Sequence, residues 1–216
     1  MTEYWETRRS AREFTDKEVD FKIIQDIVSI IPAIPSQNAV VDHWWVVLGP
    51  DDSKYKEWLV DNVYYTQEKF VPYVKEYFIG LVTAPYVFHS FKITPTPRYD
   101  WSMYVRNNAF HAGVIVSQAI DKGLDAAPIA CREGWADTER QEYRDIIWER
   151  FEPVFKNNSH TYNGKVYNWN IDTIFEPMMC VGVGHGKPYE GVKVKKYKDG
   201  ITKCSKPKKT TGNVSL

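Results

Sequence analysis

Hydrophobic positions along this chain follow helical spacing in some stretches and form short apolar runs in others. Apolar residues from Ile23 to Ile31 recur every three or four positions, which predicts the buried face of a helix that ends before Pro35. The same spacing predicts further helices over about 53–65, 102–122 and 137–151. Short apolar runs predict strands at about 44–48, 86–91, 126–130 and 175–183. Helices that alternate with strands, followed by a late strand, predict an α+β fold with a mixed sheet flanked by helices.

Capping and turn residues predict where these elements begin and end. Thr15 and Glu18 have the spacing of a capping box and predict the start of the first helix. Gly123 is expected to end the long helix that precedes it. Turn-forming residues predict a loop over 92–101, and the Asn-Gly pair at 163–164 predicts the turn of a hairpin.

The composition is that of an ordinary globular protein. The chain has 216 residues, of which 43% are hydrophobic and 26% charged, so its length suits one domain with a sizeable core. The formal net charge is zero, but nine lysines lie between Lys187 and Lys209 against two acidic residues. We therefore expect one domain over 1–198 and a basic, mobile tail over 199–216. The acidic body argues against nucleic acid as a partner.

Secretion, membrane insertion and metal binding are not expected. The three cysteines are widely spaced and form no Cys-x-x-Cys motif, which favours a reducing compartment. The charged N-terminus is unlike a secretory signal, and no run of about 18 apolar residues predicts a transmembrane helix. We therefore expect a cytoplasmic protein with no membrane partner. The five histidines show no pair at metal-ligand spacing, so no metal site is predicted.

Two polar segments have the chemistry to hold an anion and a planar ring. Three guanidinium groups and one hydroxyl lie close together, on Arg8, Arg9, Ser10 and Arg12. Arginine forks and a hydroxyl suit phosphate oxygens, although a solvated charged stretch has the same composition. The second segment, Pro-Ser-Gln-Asn at 35–38, follows the first helix, and its polar side chains could bond the edge of a heterocycle. Ordinary loop chemistry is the alternative for this segment.

The order of these segments resembles the nitroreductase family of FMN-dependent enzymes. The resemblance begins with Arg-Arg-Ser-x-Arg-x-Phe at 8–14, an Ile-rich helix, Pro-Ser-x-Asn at 35–38 and a Trp-containing strand. It continues with Thr-Gln-Glu-Lys at 66–69, a long helix that leads into Gly-Leu-Asp-Ala-Ala-Pro-Ile at 123–129, and Val-Gly-Val-Gly-His at 181–185. It covers about residues 4–198 and implies an α+β homodimer with a helical interface and one FMN per subunit.

The resemblance assigns basic and hydroxyl side chains to the phosphate end of FMN. Arg8 and Ser10 would hold the phosphate, and Arg9 would help through its backbone or side chain. One or both of Lys195 and Lys196 would complete the phosphate clamp.

The resemblance assigns a second group of residues to the ring. Arg12 would approach the ribityl chain and the pyrimidine end, where a cation stabilises the negative charge of the reduced ring, and Lys69 would assist from the other side. The partner subunit would contribute the segment with Pro35, Ser36 and Asn38. The backbone beside the ring would come from Pro128, Ile129, Ala130 and Cys131.

The implied activity is electron transfer from NADH or NADPH, through FMN, to a small electron-poor aromatic acceptor such as a nitroaromatic or quinone, in ping-pong order. No conventional catalytic residue is expected, because the protein positions two substrates in turn over one ring. The alternatives are a flavin-binding or flavin-sequestering module, a specialised reductase, and a non-flavin protein that grips an acidic partner. Ala130 and Cys131 stand where many members have Glu-Gly or Gly-Gly, which predicts a thiol in contact with the ring.

Overall fold

The chain forms helices and strands in the order that its hydrophobic pattern predicts. A computed structural model describes residues 10–35, 43–63, 80–93, 101–131, 136–162 and 164–188. The elements are α1 Phe21–Ile30, β1 His43–Leu48, α2 Ser53–Trp58, β2 Tyr86–Ile93, α3 Trp101–Asp121, β3 Asp125–Ala130, α4 Asp137–Phe155, β4 Ser159–Tyr162, β5 Lys165–Asn168 and β6 Ile174–Gly184. The expected α+β class is confirmed. Within the described ranges, no helix is both long and apolar enough to cross a membrane.

Within the described ranges, four strands form the central sheet in the order β1-β2-β6-β3. All three pairings among these strands are antiparallel. The strands β4 and β5 form a separate antiparallel hairpin, and Gly164 in its turn has a φ of 73°, which a glycine adopts without strain. In this sheet β2 and β6 are central, whereas β3 lies at an edge.

Side chains that alternate along the strands separate two apolar cores. On one face, α1 and α3 pack against β2, β3 and β6, with the buried residues Ile24, Ile27, Phe88, Ile115, Ala119, Ala126, Val181 and Val183. On the other face, α2 and α4 cover the same strands, with the buried residues Leu48, Val87, Phe91, Ala127, Tyr143, Ile147, Phe151, Phe155 and Cys180. The sheet is therefore enclosed by helices on both faces, as the sequence pattern predicts.

Some predicted boundaries are wrong for reasons that the contacts explain. The first helix begins at Phe21, because Asp20 and not Thr15 caps it: the Asp20 carboxylate accepts from the Lys22 N–H at 2.9 Å. The Thr15 hydroxyl instead donates to the His185 carbonyl. Part of the loop predicted over 92–101 is strand, because β2 continues to Ile93 alongside β6, and residues 94–100 lie outside the described ranges.

Two helix ends also differ from the pattern. The helix predicted over 53–65 is α2, Ser53–Trp58, followed by a π-helical turn over Leu59–Val63. The helix α4 extends to Phe155, one turn beyond its predicted end, because Phe155 continues the buried face formed by Tyr143, Ile147 and Phe151.

Candidate functional site

Residues 10–15, here called the N-terminal segment, lie across one end of the central sheet. The Ala11 N–H donates to the Ala126 carbonyl at 3.1 Å, which joins the segment to β3. The Thr15 N–H donates to the His185 carbonyl at 2.8 Å, which joins it to the residue after β6. These bonds fix the segment against two strands although it has little regular secondary structure of its own.

Glycines allow this close packing at the end of the sheet. The Phe14 ring lies against Gly184, where an added Cβ would be 3.0 Å from the ring and 2.6 Å from the Pro85 Cδ. An added Cβ on Gly80 would lie 3.0 Å from the Arg12 carbonyl oxygen. A side chain at either glycine would therefore displace backbone or ring atoms that position the N-terminal segment.

Ser10 and Arg12 are the candidate phosphate and ring contacts that the structure describes in this segment. Both are partly exposed, on either side of the Ala11 residue that is bonded to β3. Glu13, the acidic neighbour of Arg12, is paired with Lys187: the Lys187 ammonium donates to the Glu13 carboxylate, and the Lys187 N–H donates to the Glu13 carbonyl at 2.9 Å. This pairing offsets the negative charge beside the guanidinium group, which favours an anion at this position.

The outer edge of β3 presents backbone groups beyond the N-terminal segment. In an antiparallel pair, alternate residues bond to the neighbouring strand and those between them direct N–H and C=O the other way. Cys131 donates its N–H to the Met178 carbonyl at 2.8 Å, so its backbone groups point toward β6. The Ala126 carbonyl accepts from the Ala11 N–H, so the backbone groups of Ala126 point away from β6. Ala130, four residues further along, therefore also directs its N–H outward, and it is exposed. No strand of the described ranges pairs with this edge.

The four residues predicted beside a ring divide between the two faces of β3. The side chains of Ile129 and Cys131 pack against the core on the α4 face, and Pro128 and Ala130 alternate with them. Pro128 has no N–H, and Ile129 and Cys131 bond to β6. Ala130 is therefore the member of this group whose backbone N–H is directed at the open edge.

The N-terminal segment and Ala130 thus lie along the same edge of one strand. Ala130 lies four residues beyond Ala126 along β3, which is about 13 Å at about 3.3 Å per residue. An elongated ligand with an anion at one end and a planar, hydrogen-bonding ring at the other fits this arrangement. Ser10 would meet the first end and the Ala130 N–H the second.

The remaining site candidates divide into one described residue and seven outside the described ranges. Pro35 is exposed, directly after the short 3-10 turn that follows α1. The seven residues outside the described ranges are Arg8, Arg9, Ser36, Asn38, Lys69, Lys195 and Lys196.

The structure also places polar side chains together that the sequence did not connect. His89 on β2 lies inside the α4 face, with its Nε2 2.6 Å from the Tyr143 hydroxyl and its Nδ1 3.2 Å from the Cys180 Sγ. Burial raises the pKa of Tyr143 above its usual value, so the phenol keeps its proton. Cys131 completes a group with His89 and Cys180 whose possible ligand atoms all lie within 4.8 Å of one another. Single residues on separate strands carry no spacing signal in the sequence.

Several solved structures share this fold. An FMN-dependent nitroreductase from Clostridium difficile R20291 is 16% identical and covers 93% of this chain and 96% of its own, with a TM-score of 0.59. A Desulfovibrio desulfuricans protein described as a nitroreductase in complex with FMN is 13% identical, covers 93% of each chain and has a TM-score of 0.56. A Clostridium acetobutylicum protein described as an NADH oxidase is 18% identical, covers 90% of this chain and 93% of its own, and has a TM-score of 0.52.

These similarities extend over nearly the whole chain at low sequence identity. No family model and no curated protein matches the sequence. The chain has the nitroreductase fold, which confirms the fold that the sequence resemblance implied.

Proposed function

We propose, from the nitroreductase fold, that this protein is a flavin-dependent oxidoreductase that binds FMN along the outer edge of β3. The observation that carries the proposal is the Ala11–Ala126 hydrogen bond. It places Ser10 and Arg12 at one end of the same strand edge that presents the Ala130 N–H at the other. The FMN-dependent neighbour and the neighbour in complex with FMN support this choice of cofactor.

In this proposal each residue holds one part of the cofactor. Ser10 donates its hydroxyl to the phosphate, together with Arg8 and Arg9, and one or both of Lys195 and Lys196 complete the clamp. Arg12 places a cation near the pyrimidine end of the ring, where it stabilises negative charge. The Ala130 N–H lies beside the ring, on a strand edge that the β6 pairing holds rigid.

Bound FMN would supply the chemistry, accepting a hydride from NADH or NADPH and passing electrons to an electron-poor acceptor such as a nitroaromatic or quinone in ping-pong order. The neighbour described as an NADH oxidase supports a nicotinamide donor. The protein positions the two substrates in turn and needs no acid or base of its own. The Arg12 charge acts on the reduced state more than on the oxidised state, so it favours reduction.

The proposal includes a homodimer with a helical interface, in which Pro35, Ser36 and Asn38 reach the partner's cofactor. Exposed apolar surface on α3 supports it. Val105 is 40% exposed and Phe110 is 54% exposed. The small residues Ala109 and Gly113 are exposed on the same helix and would allow a second helix to approach closely. A partner subunit that covers this face would bury these side chains.

The proposal is tested by retention of flavin on the purified full-length chain. The visible absorption spectrum is recorded before and after incubation with FMN and removal of free FMN, and one FMN per subunit is expected. Arg12→Ala removes a charge-assisted contact worth about 1.5–3 kcal/mol, so its FMN affinity should fall about 10- to 150-fold. Lys17→Ala is the matched control, because Lys17 is an exposed cation close to the same segment.

Two results would contradict different parts of the proposal. The proposed binding site on the β3 edge is contradicted if the wild-type chain fails to retain FMN. It is also contradicted if Arg12→Ala and the wild type bind FMN with equal affinity. The proposed reaction is contradicted if the chain binds one FMN per subunit but oxidises neither NADH nor NADPH in the presence of a quinone or nitroaromatic. The protein would then be a flavin-binding module.

A further inference from the structure

A second candidate site lies beneath the sheet, on the α4 face. Its three side chains come from three adjacent strands: His89 from β2, Cys180 from β6, and Cys131 from the position directly after β3. Their possible ligand atoms all lie within 4.8 Å of one another. We propose that His89, Cys131 and Cys180 bind a thiophilic divalent cation, with Zn²⁺ as the biological ion. This proposal does not rest on FMN binding.

Charge balance favours a divalent ion at this position. His89 and Cys180 are fully buried, and Cys131 is partly exposed. A thiolate in an apolar core is costly without a cation, so a divalent ion would stabilise the buried Cys180 in its thiolate form. Two thiolates and a neutral imidazole around one divalent cation have no net charge, and sulfur and imidazole nitrogen are the donors that Zn²⁺ prefers.

The distances suit a tetrahedral site with little rearrangement. Zinc–sulfur bonds of about 2.3 Å and zinc–nitrogen bonds of about 2.0 Å place neighbouring ligand atoms about 3.5–3.8 Å apart. The His89 Nδ1 and the Cys180 Sγ are already 3.2 Å apart, and no pair in the group exceeds 4.8 Å. The ligand atoms therefore need to move by only about 1 Å to reach tetrahedral spacing. Because Cys131 is partly exposed, the ion can enter from its side of the site.

Tyr143 on α4 has the position of a residue that orients the histidine ligand. Its hydroxyl lies 2.6 Å from the His89 Nε2, which directs Nδ1 toward the two sulfur atoms. Without an ion, the Nδ1–H can donate to the Met179 carbonyl at 3.2 Å. When the ion binds Nδ1, the ring proton moves to Nε2 and is donated to the Tyr143 oxygen, an arrangement common to metal-bound histidines. Binding then releases two protons, one from each thiol.

The register of the sheet disfavours a disulfide between the same cysteines. Cys180 lies opposite Ile129, so Cys131 is its diagonal neighbour across the β3–β6 pair. Diagonal Cα atoms in an antiparallel pair are about 7–8 Å apart, beyond the usual disulfide range. A metal ion can bridge side chains that are too far apart for a direct sulfur–sulfur bond.

The test uses Co²⁺ as a visible probe and Zn²⁺ as its competitor on the full-length, reduced chain. One Co²⁺ per subunit should bind, with thiolate-to-metal charge-transfer absorption and the visible bands of a tetrahedral site, and Zn²⁺ should displace it. Below the pKa of the thiols, the release of two protons should weaken binding about 100-fold per pH unit. This measurement needs no variant and so does not depend on whether a variant folds.

Variants then assign the ligands. Cys131→Ser and Cys180→Ser should each abolish the charge-transfer band of one sulfur and weaken Zn²⁺ binding by more than 100-fold. Tyr143→Phe, which removes the orienting hydroxyl, should weaken it about 10- to 100-fold. Cys204→Ser removes the third thiol of the chain and should leave the stoichiometry at one. Circular dichroism of each variant checks that it is folded.

The proposal is overturned by the absence of a charge-transfer band in the wild type. It is overturned as well by a band that keeps its full intensity in Cys131→Ser or in Cys180→Ser, or by a band that disappears in Cys204→Ser. Release of fewer than two protons per ion would also exclude a site with two thiolates.

Discussion

Raising the pH above 8 should stabilise this fold through one buried lysine. Lys56 on α2 is only 2% exposed, and its ammonium donates to the carbonyls of Ala84 at 2.8 Å and Pro85 at 3.0 Å. Burial lowers the pKa of Lys56 from 10.5 to about 8, and the carboxylates of Asp52 and Asp51 only partly oppose this. The folded state therefore loses this proton about 2.5 pH units earlier than the unfolded chain does.

The sign and size of the effect follow from this difference in proton binding. Below pH 8, Lys56 is charged in both states, and the folded state bears the cost of burying the charge. Between pH 8 and 10.5, the unfolded chain binds the proton more tightly, so the free energy of unfolding rises with pH. The complete shift corresponds to about 3 kcal/mol, of which about 2 kcal/mol should appear between about pH 7.5 and about pH 9.5.

The assay is chemical unfolding followed by tryptophan fluorescence at several pH values in that interval. Lys56→Met keeps an unbranched side chain without the ammonium, so the rise in unfolding free energy should be about 2 kcal/mol smaller in the variant. Measurements stop below about pH 10, because the raised pKa of buried Tyr143 lowers stability as the pH increases beyond that point. Parallel pH profiles for wild type and Lys56→Met would refute the reasoning.

Two further substitutions test packing and assembly. Gly184→Ala should destabilise the fold by about 1–3 kcal/mol, because the new Cβ would lie 2.6 Å from the Pro85 Cδ. Gly49→Ala is the control, because its new Cβ would make only an ordinary contact. Equal midpoints of thermal unfolding for the two variants would contradict the packing argument. Phe110→Glu should convert the proposed dimer to a monomer in sedimentation experiments and weaken FMN retention, while Val154→Glu, at a position equally exposed on α4, should leave both unchanged. A monomeric wild type, or a dimeric Phe110→Glu variant, contradicts the α3 interface.

Local patterns predicted the elements of the fold because each depends on nearby residues. The spacing of Ile24 and Ile27 places both on one side of α1, and the structure buries both against α3. The short apolar runs correctly predicted strands, because this signal also depends only on nearby residues. The end of α1 was well predicted, whereas its start was not, because the Thr15 hydroxyl donates to the carbonyl of His185, a residue directly after β6 that is distant in the sequence.

The candidate cofactor site was only partly accessible to sequence reasoning. Residue type and order identified Ser10 and Arg12, because a cluster of arginines with a hydroxyl is a local feature. The orientation of the Ala130 N–H could not be predicted, since it depends on which residues of β3 bond to β6. The same pairing turns the Cys131 side chain toward the α4 face. The expected contact between this thiol and the flavin ring stays a prediction.

The sequence by itself determined the helices, the strands and the α+β class, because periodic burial and turn chemistry act over a few residues. It also predicted that Ser10 and Arg12 of the N-terminal segment contact an anionic ligand. Only the tertiary structure decided that this segment lies on the edge of β3 and that His89, Cys131 and Cys180 meet. These contacts join residues that are far apart in the chain, and strand order and register bring them together.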